Sequence, residues 1–198
     1  NVTESCLDRH VEAGNGAKTA LIWEGNEPTD TTSISYEDLL VRVCRLANVL
    51  KKKGVTKGDR VCIYMPMVLD LAVAMLACAR IGAIHSIVFG GFSADSLRDR
   101  INDSQCKVLL TSDSTYRGKK EVRLKDICDA AMANCECVEH CIVFKNTGNE
   151  IEMKSGRDHW SSDLLADDGI EDTCPAEEMG AEDPLFILYT SGSTGKPK

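Results

Sequence analysis

Leu185-Phe186-Ile187-Leu188-Tyr189-Thr190-Ser191-Gly192-Ser193-Thr194-Gly195-Lys196-Pro197-Lys198 closes the 198-residue sequence. Its apolar first half reads as a strand. The remainder is a loop of glycines, hydroxyl side chains and lysines. A strand feeding such a loop is a phosphate cradle in chemical terms: glycine lets main-chain N–H groups wrap anionic oxygens, hydroxyls add donors and lysines supply charge. It is not a Walker A loop. That motif needs two glycines five residues apart and a hydroxyl after the lysine, whereas Gly192 and Gly195 lie closer together and Pro197 follows Lys196. Proline also removes a backbone donor and disfavours an α conformation at Lys196. The stretch therefore reads as an extended flap, with a glycine/serine linker as the alternative.

Upstream, helical and strand patterns alternate. Ser35-Tyr36-Glu37-Asp38 is a candidate capping box, followed by Leu39, Val43, Leu46 and Leu50 at helical spacing, with Gly54 as the stop. Strands are expected over 59–65, 83–89, 107–111, 138–144 and 185–190. Helices are expected over 68–80, from a cap at Ser93 to about 103, over 121–134 and over 158–165. Residues 112–120 read as a polar loop, 146–149 as a turn and 166–183 as an exposed acidic connection. Strand–helix–strand alternation with short connections predicts the α/β class: a parallel sheet with helices on both faces. Ligands in such sheets bind beyond the carboxyl ends of the strands. The loops at 90–93, 112–120 and 191–198 then carry the chemistry.

Composition bounds the rest. Hydrophobic residues make up 43% and charged residues 27%, an ordinary globular balance, and the net charge of −8 opposes any bulk affinity for nucleic acid. The longest apolar run, 68–79, contains Asp70 and ends at Arg80, so it reads as a buried helix rather than a membrane span. Of ten cysteines, Cys44, Cys62, Cys78 and Cys128 fall at apolar positions of helices or strands. Cys135, Cys137, His140 and Cys141 cluster, but their spacing matches no common zinc template, and no metal site is expected. His85 lies inside an apolar strand and reads as a satisfied core histidine. His10 reads as helix surface and His159 as packing beside Trp160. No Ser/His/Asp set with usable spacing is present, so no nucleophile or other catalytic residue is expected in this stretch. Arg117-Gly118-Lys119-Lys120 is a cationic loop at the predicted ligand edge; a solvated charged loop is its plainer reading.

The closing stretch Tyr189 to Lys198 resembles the phosphate-binding signature of the AMP-forming, acyl-adenylate superfamily of ligases. Further segments, Trp23-Glu24-Gly25-Asn26-Glu27-Pro28, Tyr64-Met65-Pro66-Met67, 74–83, Phe89-Gly90-Gly91-Phe92-Ser93 and 182–188, resemble the acetyl-coenzyme A synthetases within it. The likeness runs along the whole chain and is weakest between Cys135 and Pro175. It implies a ligase that joins acetate to coenzyme A through acetyl-adenylate, consuming MgATP and releasing AMP and diphosphate. It also implies phosphate contacts for Thr190, Ser191, Gly192, Ser193, Thr194, Gly195 and Lys196. The 3′-phosphate end of coenzyme A falls to Arg117, Gly118, Lys119 and Lys120, where many relatives have an arginine in place of Lys120. Gly90 and Gly91 are better explained by structure than by contact.

On this resemblance, 1–34 is an N-terminal segment and 35–198 an α/β subdomain of an AMP-binding domain cut at its phosphate loop. Such a chain is expected to be part of a longer enzyme and inactive alone. Its partners are small molecules (acetate, ATP and coenzyme A), with no nucleic acid and no membrane. Its expected place is the cytoplasm, with the mitochondrial matrix as the alternative. Three rivals stay open: a propionyl-coenzyme A synthetase, a phosphoryl-transfer ATPase, and a non-catalytic nucleotide- or coenzyme A-binding module.

Overall fold

The computed structural model describes residues 1–27 and 29–190. Two π-helical turns, Glu4–Asp8 and Val11–Asn15, lead into an antiparallel hairpin, β1 (Thr19–Glu24) and β2 (Thr31–Ser35). There follow α1 (Tyr36–Lys52), β3 (Arg60–Tyr64), α2 (Leu69–Arg80), β4 (Ile84–Ile87), α3 (Ala94–Ser104) and β5 (Val108–Ser112). A small antiparallel hairpin, β6 (Thr115–Arg117) and β7 (Lys120–Val122), precedes α4 (Leu124–Met132). The chain continues through β8 (His140–Phe144), β9 (Asp158–Trp160) and α5 (Ser161–Leu165) to β10 (Phe186–Ile187).

Six strands form one parallel sheet in the order β10-β4-β3-β5-β8-β9. Side chains alternate between its faces. Val61, Ile63, Val108, Leu110 and Ile142 meet α1, α2 and α5 on one side. Cys62, Tyr64, Leu109, Cys141 and Val143 meet α3 and α4 on the other. The sequence predicts this two-faced parallel architecture, and both cores are built from the alternation it displays.

Local signals place the helix ends. The Ser35 hydroxyl accepts the Asp38 N–H at 3.1 Å, and lies 2.6 Å from the Asp38 carboxylate. At the other end of α1, Gly54 takes a φ of +78°. Its N–H reaches the Lys51 carbonyl at 2.9 Å while the Val55 N–H reaches that of Leu50 at 3.0 Å, a Schellman motif. Ser93 caps α3 by accepting the Ser96 N–H at 3.3 Å.

Three segments differ from expectation. Residues 115–122 form the β6–β7 hairpin rather than a plain loop to 120 and a helix from 121, because Gly118, at a φ of +58°, allows a tight two-residue turn; the helix starts only at Leu124. Residues 158–160 are not helical but pair in parallel with β8, and only 161–165 form a helix. Residues 166–183 carry no regular element, yet they do not hang free. Ile170 and Cys174 are buried. Arg45 donates to the carbonyls of Leu165 and Ile170, Asn48 to those of Glu171 and Thr173, and Arg80 to that of Cys174. The acidic composition hides a strap held down through its own backbone.

Candidate active site

The loop after β3 leads to α2 on one face of the sheet, and the loop after the adjacent β4 leads to α3 on the other. Neighbouring strands whose connections part in opposite directions leave a crevice at their carboxyl ends. A cavity of about 1190 Å³ lies there. Its walls come from the segments following β3, β4, β5, β8 and β10, and from the tip of the β1–β2 hairpin.

That hairpin is tied across the cavity. The Trp23 indole N–H donates to the Met67 carbonyl at 2.5 Å, and the Asn26 amide to the Tyr116 carbonyl at 3.4 Å. On the opposite wall, Gly90 is packed so closely that an added Cβ would sit 2.9 Å from the Met65 carbonyl oxygen. At Gly91 a Cβ would meet Phe89 at 2.9 Å and the Arg117 guanidinium at 3.0 Å. Gly90, set against backbone, thus has a steric reason to be glycine, whereas at Gly91 the neighbours are side-chain ends that can move.

Arg117 lines the cavity with its guanidinium 4.9 Å from the centre of the Phe89 ring. Gly118 and Lys119 form the exposed turn of the small hairpin, and Lys120 pairs with Arg117 across it. The four residues named for coenzyme A therefore share one hairpin at the cavity rim, with Arg117 facing in. Behind the lining residues Asn146 and Thr147 lies Asp113, which is fully buried. Its carboxylate accepts the N–H groups of Asn146 at 2.9 Å, Thr147 at 3.1 Å and Gly148 at 2.7 Å, joining the turn after β8 to the end of β5.

Thr190 lines the cavity. Ser191, Gly192, Ser193, Thr194, Gly195 and Lys196 lie outside the described residues. Tyr189, just before them, is anchored on α3: its hydroxyl donates to an Asp103 carboxylate oxygen at 2.6 Å. Burial and that neighbouring carboxylate push the phenol upward in pKa, so it stays protonated as a donor. Arg100, which the sequence reading passed over, sits beside it with its guanidinium 5.3 Å from the Tyr189 ring centre and 4.8 Å from that of Phe92. An arginine on an amphipathic helix, two residues from the ion-paired Arg98, carries no sequence signal that separates it from its solvated neighbours.

The histidines lie elsewhere. His85 is buried, stacks on Phe186 at 5.8 Å, and is held neutral by burial, with its pKa lowered to about 4. Its Nδ1 has no hydrogen-bond partner, so it is a core histidine but not the satisfied one expected. His10 packs on Tyr36 at 4.6 Å, and His159 on His140 at 5.3 Å. The ten cysteines are free thiols; Cys135 and Cys141 are buried and Cys137 half-buried. Among the described residues no three His, Cys, Asp or Glu side chains are grouped to hold a metal ion. None of the described helices is long and apolar enough to cross a membrane.

This geometry meets independent support from known proteins. The profile of the AMP-binding enzyme family matches residues 7–198. Over all 198 residues the chain is 59% identical to a Nostoc linckia acetyl-coenzyme A synthetase and 58% identical to one from Alkalilimnicola ehrlichii. It is 55% identical to acetyl-coenzyme A synthetase 2 of Pseudomonas putida. The chain spans 58% of the Nostoc protein and 30% of each of the other two. A parallel sheet with a cavity at its carboxyl edge agrees with a family match that covers nearly every residue: the chain belongs to the AMP-binding enzyme family.

Proposed function

We propose that this chain is the phosphate- and coenzyme A-facing part of an acetate–coenzyme A ligase that works through acetyl-adenylate. Acetate attacks the α-phosphate of MgATP and expels diphosphate; the thiol of coenzyme A then displaces AMP. Negative charge grows on the departing diphosphate, and donors already in place stabilise it without reorganising. Thr190 to Lys196 supply those donors. Arg117, with Gly118, Lys119 and Lys120, takes the phosphorylated end of coenzyme A at the rim of the cavity. Residues 35–198 then act as the α/β subdomain of the AMP-binding domain, with 1–34 as the segment before it, and the enzyme works on small molecules in the cytoplasm.

The observation that supports this reading best is the cavity itself. Thr190 at the root of the Gly/Ser/Thr/Lys stretch and Arg117 on the cationic hairpin line the same space. The two half-reactions test the two assignments separately in the full-length enzyme. Lys196→Ala should lower acetate-dependent ATP–diphosphate exchange by about 100-fold, the effect of losing one preorganised donor; unchanged exchange would remove the loop from the mechanism. Arg117→Ala should raise KM for coenzyme A while leaving exchange intact. Equal loss of both half-reactions would defeat the coenzyme A assignment.

A further inference from the structure

Arg100 is 8% exposed, yet no carboxylate lies within ion-pair distance of it among the described residues. Its acidic neighbours on α3 are engaged elsewhere. Asp95 and Asp99 pair with Arg98 at 2.6 and 2.9 Å, and Asp103 accepts the Tyr189 hydroxyl. One guanidinium nitrogen, Nη1, donates to the carbonyl of Ser96 at 2.8 Å and to its hydroxyl at 2.6 Å. Nη2 and Nε donate to no acceptor among the described residues. Arg100 lines the cavity, and there too neither nitrogen has a partner among the described residues.

A buried cation without a counter-charge is costly and normally has a partner. Here the cost is lowered by two aromatic rings, Phe92 and Tyr189, with the guanidinium carbon over each. Contacts of this kind use the face of the guanidinium, whereas its edge is the fork that matches two oxygens of a phosphate. Phe92 belongs to the glycine turn after β4, and Tyr189 immediately precedes Thr190. The fork is thus placed between the two walls assigned to phosphorylated ligands.

We propose that Arg100 is a phosphate-binding residue of the cavity, taking a phosphoryl group through its Nη2/Nε edge while Ser96 fixes the other side of the guanidinium. The proposal rests on the reading of the cavity as a site for ATP and coenzyme A, and two sources of the phosphoryl group follow from it. Equilibrium titration of the full-length protein with ATP and, separately, with coenzyme A distinguishes them.

Arg100→Gln should weaken binding of one of the two ligands at least tenfold, and the ligand affected identifies the source. Arg100→Lys, which keeps the charge, should recover part of the loss. Unchanged affinity for both ligands in Arg100→Gln, or equal losses in the Gln and Lys variants, would overturn the proposal. Arginine-selective labelling of the wild-type protein gives a reading that needs no variant to fold. Mapped by mass spectrometry, labelling of Arg100 should fall several-fold with the bound ligand; protection by neither ATP nor coenzyme A contradicts the assignment. None of these measurements requires acetate or turnover. Failure to form AMP therefore bears on the ligase reading alone, and loss of protection on Arg100 alone.

Discussion

Lys125 has no exposed side-chain surface, and a lysine pays for such burial only with partners. It has three: Asp129 at 2.7 Å, Asp158 at 2.8 Å, and the Glu152 carbonyl at 2.9 Å. Asp158 is equally buried and also holds Arg157 at 2.6 Å. Burial works against its charged form, but the hydrogen bonds from Arg157 and Lys125 outweigh it and hold its pKa at about 2. A carboxylate depressed in the folded state adds stability that is complete above its unfolded pKa and is lost as pH falls through the folded value. Thermal unfolding should thus reveal a loss of stability between about pH 4 and about pH 2, and Asp158→Asn should reduce it, with Asp8 and Asp59, also held low, supplying the remainder; an unchanged acid limb would contradict the assignment. Lys125→Met, which strands a buried carboxylate, should cost about 3 kcal/mol in denaturant titration at neutral pH. A loss below about 1 kcal/mol would mean that Arg157 alone satisfies Asp158.

Helices and strands with strong local signals were legible in the sequence. Ser35 and Gly54 bracket α1 as read, and the short apolar runs within 59–65 and 138–144 yield β3 and β8. What escaped is what local pattern does not encode. Lys120-Glu121-Val122 has no strand alternation, and Asp158-His159-Trp160 becomes a strand because β8 offers it a free edge. The strap over 166–183 is held by carbonyl groups, which every residue has and no composition reveals. Arg80 gathers this hidden order. It forms a two-pronged pair with Asp8 at 2.7 and 2.9 Å, and donates to the Cys174 carbonyl at 2.5 Å, joining the N-terminal segment, the end of α2 and the strap. Arg80→Ala should cost about 3–5 kcal/mol, the range for breaking a buried pair, and should expose 166–183 to limited proteolysis. A variant as protease-resistant as the wild type would show that the strap is held by Arg45 and Asn48 alone.

At the scale of the whole molecule, the chain carries a net charge of −8, yet Arg100 and Arg117 line one cavity at the carboxyl edge of the sheet. The fold class and the position of that cavity follow from strand–helix alternation. The cationic hairpin was visible as residue types but not as a hairpin. Arg100 was not visible, because its setting depends on Tyr189, which is remote in sequence and is brought beside α3 by the segment after β10. A net-negative chain that brings two arginines to one cavity suits a small phosphorylated ligand better than a polyanion. The most direct test is to incubate the full-length enzyme with MgATP, acetate and coenzyme A and to identify the nucleotide formed. AMP and diphosphate are expected in amounts equal to acetyl-coenzyme A, with none formed when acetate is omitted. ADP and orthophosphate, or AMP released irrespective of acetate, would contradict the ligase reading.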